Sequence, residues 1–262
     1  EAAHRGAEQI YVGLGGSATN DGGCGMAAAL GARFYNARGE AFVPVGGTLG
    51  DVARIDVTGI DKRIAGLEIT AMCDIENPLF GPRGAAYVFG PQKGADTAAV
   101  ELLDAGLRHL AATVARDIGI NCAEEPGAGA AGGLGFGMRA FLGARLRSGI
   151  DTALEASGFD VLLKDADLVV TGEGRLDAQS GMGKAVGGVA LRAKRAGVPV
   201  VALAGGIAAD SALLGLDAAF SINRLPEPLS VSGVKSGDNL YRTALELFRL
   251  IRLSLNAAHR EA

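Results

Sequence analysis

Residues 10–23 read Ile-Tyr-Val-Gly-Leu-Gly-Gly-Ser-Ala-Thr-Asn-Asp-Gly-Gly, and they decide how the first half of the chain is interpreted. The apolar run 10–14 is typical of a short strand, and the glycines after it predict a tight turn. A helical pattern from about residue 25 to residue 34 follows. A strand that passes through a glycine-rich turn into a helix is typical of α/β proteins.

Strands and helices alternate along the rest of the chain. The patterns predict strands at 67–73, 167–171, 198–204 and 217–222, and helices at 97–118, 138–146, 184–196 and 239–255. Thr97 is the expected N-cap of the longest clear helix, and Gly205-Gly206 is expected to end a strand. Strands rich in Val and Leu with helices between them indicate a parallel sheet. A change of composition near 147–158 predicts two domains, residues 1–150 and 151–262.

Composition and charge exclude several classes of protein. The chain has 262 residues, of which 41 are glycine and 48% are hydrophobic, and this is too apolar for a disordered chain. The formal net charge is −4 and no basic stripe occurs, which disfavours nucleic acid as the main partner. No apolar run reaches the roughly 18 residues that a membrane span requires. Three separated cysteines, without a CxxC or HExxH motif, indicate reduced thiols in a cytoplasmic protein and no zinc site.

Polar side chains gather in the first glycine-rich turn. Ser17, Thr19, Asn20 and Asp21 lie close together in sequence, and the backbone amides of such a turn suit an anion such as phosphate. The segment 13–18 also has the Gly-x-Gly-x-x-Ala form of a dinucleotide fingerprint, although the expected acidic residue after the next strand is not clear. A tight turn alone explains the glycines but not the polar cluster, so we predict a binding site here.

Asp74 and Asn77 follow the predicted strand 67–73, at the end where open α/β sheets bind ligands. They could bind a hydroxyl or a metal, and turn chemistry before Pro78 explains them equally well. Cys73 is interpreted as a buried strand residue rather than a nucleophile. Lys93, in a later turn, could meet a phosphate or be a solvated loop lysine.

Two more glycine-rich segments are candidates. The tract 127–137 could form a flexible lid, a backbone cradle for a polyanion or a linker. Segment 171–179 contains Glu173 and Asp177, and Lys184 follows it. Carboxylates suit Mg²⁺ or accept a proton, and a cation suits phosphate. A Walker A motif is rejected on spacing, because alanine stands where its first glycine is required and alanine also follows the lysine.

Taken together, these motifs resemble the bacterial glycerate kinase family of type 1. The segments that carry the resemblance are 15–23, 73–79, 88–94, 129–135 and 171–179. The resemblance implies two dissimilar α/β domains with a cleft between them. Residues 1–150 would be the middle domain of the family. Residues 151–262 would be the C-terminal part of a flavodoxin-like domain with a parallel sheet.

The resemblance also implies an activity. It is the ATP-dependent phosphorylation of D-glycerate with Mg²⁺, with 2-phosphoglycerate as the expected product. Family members begin with a strand that carries an Asp-Ser-Phe-Lys motif, which this sequence lacks. We therefore expect this chain to begin within a fold and without the first third of the family's chain.

The predicted site residues form three groups. The predicted catalytic residues are Asp21, Asp74, Asp177 and Lys184. The predicted substrate- and nucleotide-binding residues are Gly15, Gly16, Ser17, Thr19, Asn20, Asn77, Lys93, Gly132, Gly133, Gly135, Gly172, Gly174 and Arg175. The predicted metal ligands are Glu173 and Asp177.

Two other functions stay open at this point. The Gly13-x-Gly15 pattern leaves an NAD-type dehydrogenase as an alternative. The chain could also be a non-catalytic module that binds a small molecule. The expected partner is glycerate, with no nucleic acid and no membrane, and a homo-oligomer is an option.

Overall fold

The computed structural model describes residues 1–177, 180, 185–208, 215–223 and 225–261, without the side chains of 254, 255 and 257–261. The chain divides into two compact units, Glu1–Gly149 and Ile150–Ala262. We call them unit 1 and unit 2. None of the helices formed by the described residues combines the length and apolar character needed to cross a membrane.

Unit 1 contains six strands and four α-helices among its residues. In chain order they are β1 (Gln9–Gly13), α1 (Cys24–Ala29), β2 (Arg33–Tyr35), β3 (Ala41–Phe42), β4 (Arg54–Asp56), β5 (Glu68–Met72), α2 (Ala85–Phe89), α3 (Thr97–Asp117), α4 (Ala130–Leu142) and β6 (Arg145–Arg147).

The strands of unit 1 form two sheets. The first is parallel, with the order β1-β5-β6, and Gly13, Met72 and Arg147 lie side by side where its strands end. The second is antiparallel, with the order β3-β2-β4. Because parallel strands end at one edge, the segments that follow β1, β5 and β6 all start from the same side of the first sheet.

Helix α3 supplies much of the core of unit 1. Its Leu107, Leu110 and Val114 recur at helical spacing and are fully buried. The helix begins with an Asp96 carboxylate that accepts a hydrogen bond of 2.8 Å from the Ala99 N–H. The expectation that Thr97 is the N-cap is therefore wrong by one residue, since the aspartate before it satisfies the exposed helix N–H groups.

Unit 2 contains the remaining elements. They are α5 (Gly149–Ala156, which starts at the last residue of unit 1), α6 (Phe159–Leu162), β7 (Val169–Leu176), α7 (Ala185–Arg195), β8 (Val200–Ile207), β9 (Ala218–Ser221), α8 (Leu229–Ser232) and α9 (Ser236–Glu261). The strands form a parallel sheet in the order β7-β8-β9. The prediction of an α/β fold with a parallel sheet is confirmed.

Four predicted element boundaries are wrong. The helix expected at 25–34 ends at Ala29, and residues 33–35 form β2 instead. The helix expected at 138–146 is α4, which begins earlier, and residues 145–147 form β6. Strand β7 continues to Leu176 and β8 continues through Gly205-Gly206 to Ile207. A Cβ at Gly205 would lie 2.5 Å from the carbonyl oxygen of Gly174 on the neighbouring strand, so glycine permits this pairing instead of ending it.

Arg192 joins three helices of unit 2. Its guanidinium lies 2.6 Å from an Asp160 carboxylate oxygen, 3.0 Å from Asp151 and 3.5 Å from Glu155. The Arg192 side chain is only 14% exposed, while each of the three carboxylates is at least 44% exposed. The hydrogen bond that Arg192 donates to the Asp151 carboxylate raises the pKa of Arg192 above its ordinary value.

We predict that Arg192→Ala lowers the free energy of unfolding of unit 2 by about 1–2 kcal/mol. This value lies between those of exposed and buried ion pairs, because water screens the carboxylates but not the guanidinium. Urea unfolding followed by circular dichroism measures the change. Arg195→Ala, an exposed position on the same helix, is the control and should change stability by less than about 0.5 kcal/mol. Equal effects of the two substitutions would contradict the role of Arg192.

Candidate functional site

The segment Gly15–Gly23, which we call the glycine loop, connects β1 to α1. Asp21 determines the path of its second half. One carboxylate oxygen accepts a hydrogen bond of 3.0 Å from the Gly23 N–H, and the other accepts one of 3.0 Å from the Gly25 N–H. Helix α1 begins only at Cys24, so the Gly13-x-Gly15-x-x-Ala18 pattern does not lead into a helix as a dinucleotide fingerprint does.

Lys93 holds the first half of the glycine loop. Its Nζ donates a hydrogen bond of 2.9 Å to Ser17 Oγ and one of 2.7 Å to the Thr19 carbonyl oxygen. Burial lowers the pKa of Lys93 below its ordinary value, and the negative charge of Asp21 opposes this shift. The structure therefore brings Lys93 next to three other predicted site residues, Ser17, Thr19 and Asp21, which are distant from it in sequence.

The glycine tract 127–137 lies against the glycine loop. Residues 131–133 have positive φ angles, and the Gly132 carbonyl oxygen accepts a hydrogen bond of 3.1 Å from the Gly22 N–H. A Cβ at Gly132 would lie 2.0 Å from the Thr19 carbonyl oxygen, and one at Gly133 would lie 2.8 Å from Gly22 Cα. No side chain larger than hydrogen fits at this contact.

Close packing also explains another glycine of the tract. A Cβ at Gly135 would lie 2.2 Å from the carbonyl oxygen of Gly127. Most of the tract is buried, and it runs into α4. It is thus a packed part of unit 1, and neither a flexible lid nor a linker describes it. The binding roles of Gly132, Gly133 and Gly135 stay predictions.

Gly15 and Gly16 differ from the glycines of the tract. Both are exposed, and a Cβ at either position would have no heavy atom within 4 Å among the described residues. Gly16 has a φ of +59°, which favours glycine, but Gly15 has no such angle. Packing within the described chain therefore does not require glycine at position 15, which is consistent with a backbone that a ligand approaches closely.

Asn20 is the buried polar residue of the glycine loop. Asn20 as a whole is only 8% exposed. Within the part of the chain that the structure describes, neither its Nδ2 nor its Oδ1 has a hydrogen-bond partner. Buried amide groups are nearly always hydrogen-bonded in folded proteins, so this one is unusual.

Asp74 and Asn77 follow β5 at the same edge of the sheet as the glycine loop. An Asp74 carboxylate oxygen accepts a hydrogen bond of 2.9 Å from the Gly149 N–H, and Asn77 Nδ2 donates one of 2.7 Å to the Arg83 carbonyl oxygen. Both side chains thus bind backbone groups, Asp74 those of a segment distant in sequence and Asn77 those of its own turn, and their predicted site roles stay predictions. Burial raises the pKa of the Cys73 thiol, which agrees with a structural residue rather than a nucleophile.

Glu173, Arg175 and Asp177 lie around a residue that sequence reasoning missed. Ser180 is completely buried. Its Oγ accepts a hydrogen bond of 3.1 Å from the Asp177 N–H. The same hydroxyl can donate either to Glu173 Oε1 at 3.2 Å or to the Arg175 carbonyl oxygen at 3.4 Å. The Arg175 guanidinium is 4.0 Å from an Asp177 carboxylate oxygen. Nothing in the local sequence distinguishes Ser180 from an ordinary loop serine.

A cavity of about 770 Å³ lies in unit 2, on β7, β8, α8 and α9. Gly172, Glu173, Gly174 and Arg175 of the predicted site contribute to its lining. A Cβ at Gly174 would have no described heavy atom within 4 Å, so the space beside it is open. The predicted catalytic residue Lys184 lies outside the described residues.

The donor set of unit 2 has the chemistry that Mg²⁺ uses. Within the described ranges, no three or more His, Cys, Asp or Glu side chains form a cluster that could hold a metal ion. Mg²⁺ is commonly bound through one or two carboxylates together with water and substrate phosphates. Ser180 Oγ contacts the Glu173 carboxylate and the Asp177 backbone N–H, so it joins two segments that each carry one carboxylate, and two carboxylates suffice for this kind of site.

The fold and the glycine-rich segments define a class of protein. It has two α/β units, and in each unit a glycine-rich segment lies at or after a strand of a parallel sheet. The model of the Glycerate kinase family matches residues 1–252. This chain belongs to the glycerate kinase family.

Several similar proteins and one solved structure support this membership. The chain is 47% identical to a glycerate kinase of Halalkalibacterium halodurans over 248 residues, which are 93% of this chain and 65% of that protein. It is 40% identical to glycerate 2-kinase of Escherichia coli over 261 residues, 98% of this chain and 68% of that protein. A crystal structure of a glycerate kinase 2 from Salmonella typhimurium LT2 is 43% identical and has a TM-score of 0.84, covering 99% of this chain and 67% of that one. The chain thus spans about two thirds of the length of these relatives.

We predict that Gly132→Ala disrupts the contact between the glycine loop and the tract. Gly143→Ala is the matched control, because Gly143 has a similar φ of +65° but open space around its Cβ direction. The control should lose roughly 1–2 kcal/mol of stability, the cost of an L residue in the left-handed region. Gly132→Ala should lose roughly 1–3 kcal/mol more, because its methyl group meets the Thr19 carbonyl. Chemical unfolding measures both losses, and equal losses would contradict the close contact.

Proposed function

We propose that this chain carries the catalytic machinery of an ATP-dependent kinase that phosphorylates D-glycerate to 2-phosphoglycerate. Family membership and the names of the relatives support this reaction. For this chain, the observation that carries it is the pair of hydrogen bonds from Lys93 Nζ to Ser17 Oγ and the Thr19 carbonyl oxygen. Phosphoryl transfer depends on positioning and on stabilising charge, so glycine segments with a few fixed cations and carboxylates are suitable equipment.

Lys93 is the proposed cation of unit 1. Two of its three N–H groups are used to hold Ser17 and the Thr19 carbonyl, which leaves a third for an oxygen of an anionic substrate. The geometry of the glycine loop fixes the position of this charge, because the loop itself is packed against Gly132. Asp21 contributes by holding the loop and by placing a negative charge that opposes the lowering of the Lys93 pKa by burial.

The proposed nucleotide phosphates lie next to β7 of unit 2. Gly172, Gly174 and Arg175 border a cavity whose volume is within the usual range of ligand pockets. Glu173 and Asp177 would hold Mg²⁺, which neutralises phosphate charge when it is bound. The buried Ser180 hydroxyl positions the Glu173 side chain and the Asp177 backbone through its hydrogen bonds. Lys184 remains a proposed phosphate ligand on sequence grounds alone.

The finer predictions about organisation also stand as proposals. We assign unit 1 to the middle domain of the family and unit 2 to its flavodoxin-like domain. A cytoplasmic location is supported by three free cysteines. The homo-oligomer stays a prediction from the sequence.

The proposal predicts that the chain releases ADP from ATP and Mg²⁺ in the presence of D-glycerate. Lys93→Met should lower kcat/KM by roughly tenfold to hundredfold, because it removes a hydrogen-bonding charge. Lys62→Met, an exposed lysine of the same unit, is the control and should leave the rate unchanged. A coupled ADP-release assay measures all three proteins.

Three outcomes, from this assay together with ligand-binding and thermal-protection measurements on the same proteins, would contradict the proposal. Binding of ATP and glycerate without ADP release would favour a non-catalytic binding module. Protection against heat by NAD and not by ATP would favour the dehydrogenase alternative. An unchanged rate in Lys93→Met would remove the lysine from the chemistry.

A second prediction concerns the carboxylates of unit 2. Asp177→Asn should raise the concentration of Mg²⁺ that gives half-maximal binding of ATP by about tenfold or more, because one anionic ligand becomes neutral. Asp167→Asn, at an exposed position before β7, is the matched control. Calorimetric titration of ATP at several Mg²⁺ concentrations measures the effect. Identical Mg²⁺ dependence in the two variants would exclude Asp177 as a metal ligand.

A further inference from the structure

Asn20 has no evident role in stabilising the fold. Its carboxamide is shielded from solvent, and neither of its polar atoms has a partner among the described residues. Burying an amide without hydrogen bonds destabilises a protein, whereas an apolar side chain of the same shape at such a place is neutral or stabilising. A residue that weakens the fold at the centre of a predicted site indicates a function in binding.

The surroundings of Asn20 point to an anionic ligand. Its backbone neighbour Thr19 accepts a hydrogen bond of 2.7 Å from Lys93 Nζ, so a positive charge lies close to the same segment. Gly15 and Gly16 are exposed, and a Cβ at either position would meet no described heavy atom within 4 Å. The first half of the loop therefore leaves room for a ligand beside its backbone.

The two polar atoms of the amide distinguish between ligands. Nδ2 donates two hydrogen bonds and Oδ1 accepts. The phosphate oxygens of a nucleotide accept hydrogen bonds at neutral pH, so they would satisfy only Nδ2. An α-hydroxy carboxylate offers both an acceptor, the carboxylate, and a donor, the hydroxyl, on adjacent carbon atoms. It can therefore satisfy both ends of the amide.

We propose that Asn20 recognises the α-hydroxy carboxylate of the acceptor substrate, so that the glycine loop is the glycerate subsite and not the subsite of the nucleotide phosphates. This inference rests on the proposed function. It adds an assignment of the two substrates, which neither the family match nor the relatives' names contain. Asn20 then acts as a specificity-determining residue, and Lys93 supplies the charge that attracts the carboxylate.

The test compares the wild-type chain with Asn20→Leu, which keeps a similar shape without polar atoms, and with Asn20→Ser, which keeps a hydroxyl. Thermal unfolding is followed with D-glycerate, with 3-hydroxypropionate, which lacks the α-hydroxyl, and with ATP. We expect the wild type to bind D-glycerate at least about tenfold more tightly than 3-hydroxypropionate. Asn20→Leu should lose this preference, keep its stabilisation by ATP and unfold at the same or a higher temperature without ligand. Asn20→Ser should recover part of the preference.

Each other result counts against a defined claim. A wild-type chain that D-glycerate does not stabilise would contradict the proposed function as well as the role of Asn20. A wild type that is stabilised, with Asn20→Leu stabilised to the same extent, would contradict only the role of Asn20. Loss of ATP stabilisation in Asn20→Leu, or a lower unfolding temperature of both ligand-free variants, would show that Asn20 is structural.

Discussion

The contact between two glycine-rich backbones is the constraint on which the candidate site of unit 1 depends. The Gly22 N–H donates to the Gly132 carbonyl oxygen, and a Cβ at Gly132 or Gly133 would overlap the facing backbone. This contact fixes the end of the loop that carries Asn20 and Asp21. The other end is held by Lys93 and remains exposed. One half of the loop is thus packed against another backbone, and the other half is exposed where a ligand can approach it.

The polar residues of both units combine structural and proposed chemical roles. Asp21 satisfies two backbone N–H groups and also influences the pKa of Lys93. In unit 2, Ser180 connects the segments that contain Glu173 and Asp177. Asn20 is the contrasting case, because neither polar atom of its side chain has a hydrogen-bond partner among the described residues. Residues with structural partners support the geometry of a site, and the residue without them is the better indicator of what binds there.

Local sequence patterns predicted the strongly periodic strands and helices well. They could not predict features that depend on contacts between residues distant in sequence. Strand β5 and helix α3 have strong periodicity, and both lie close to where the sequence places them. The start of α4 could not be predicted, because three successive residues with positive φ precede its regular part. The motifs drew attention to the glycine loop and to Lys93 separately, but they did not predict the hydrogen bonds that join them. Gly132 is required by close packing, whereas Gly15 has open space beside it, and this difference depends on atoms that are distant in sequence. Ser180 was missed for the same reason.

Amide hydrogen exchange at Gly22 tests the central constraint most directly. If the Gly22 N–H is hydrogen-bonded to Gly132 within a packed backbone contact, its exchange in the ligand-free chain should be as slow as that of core amides of β5. Exchange of Gly15 and Gly16 should be much faster in the same spectrum, since both residues are exposed. Exchange of Gly22 as fast as that of Gly15 would contradict the account, because the loop would then have no fixed half.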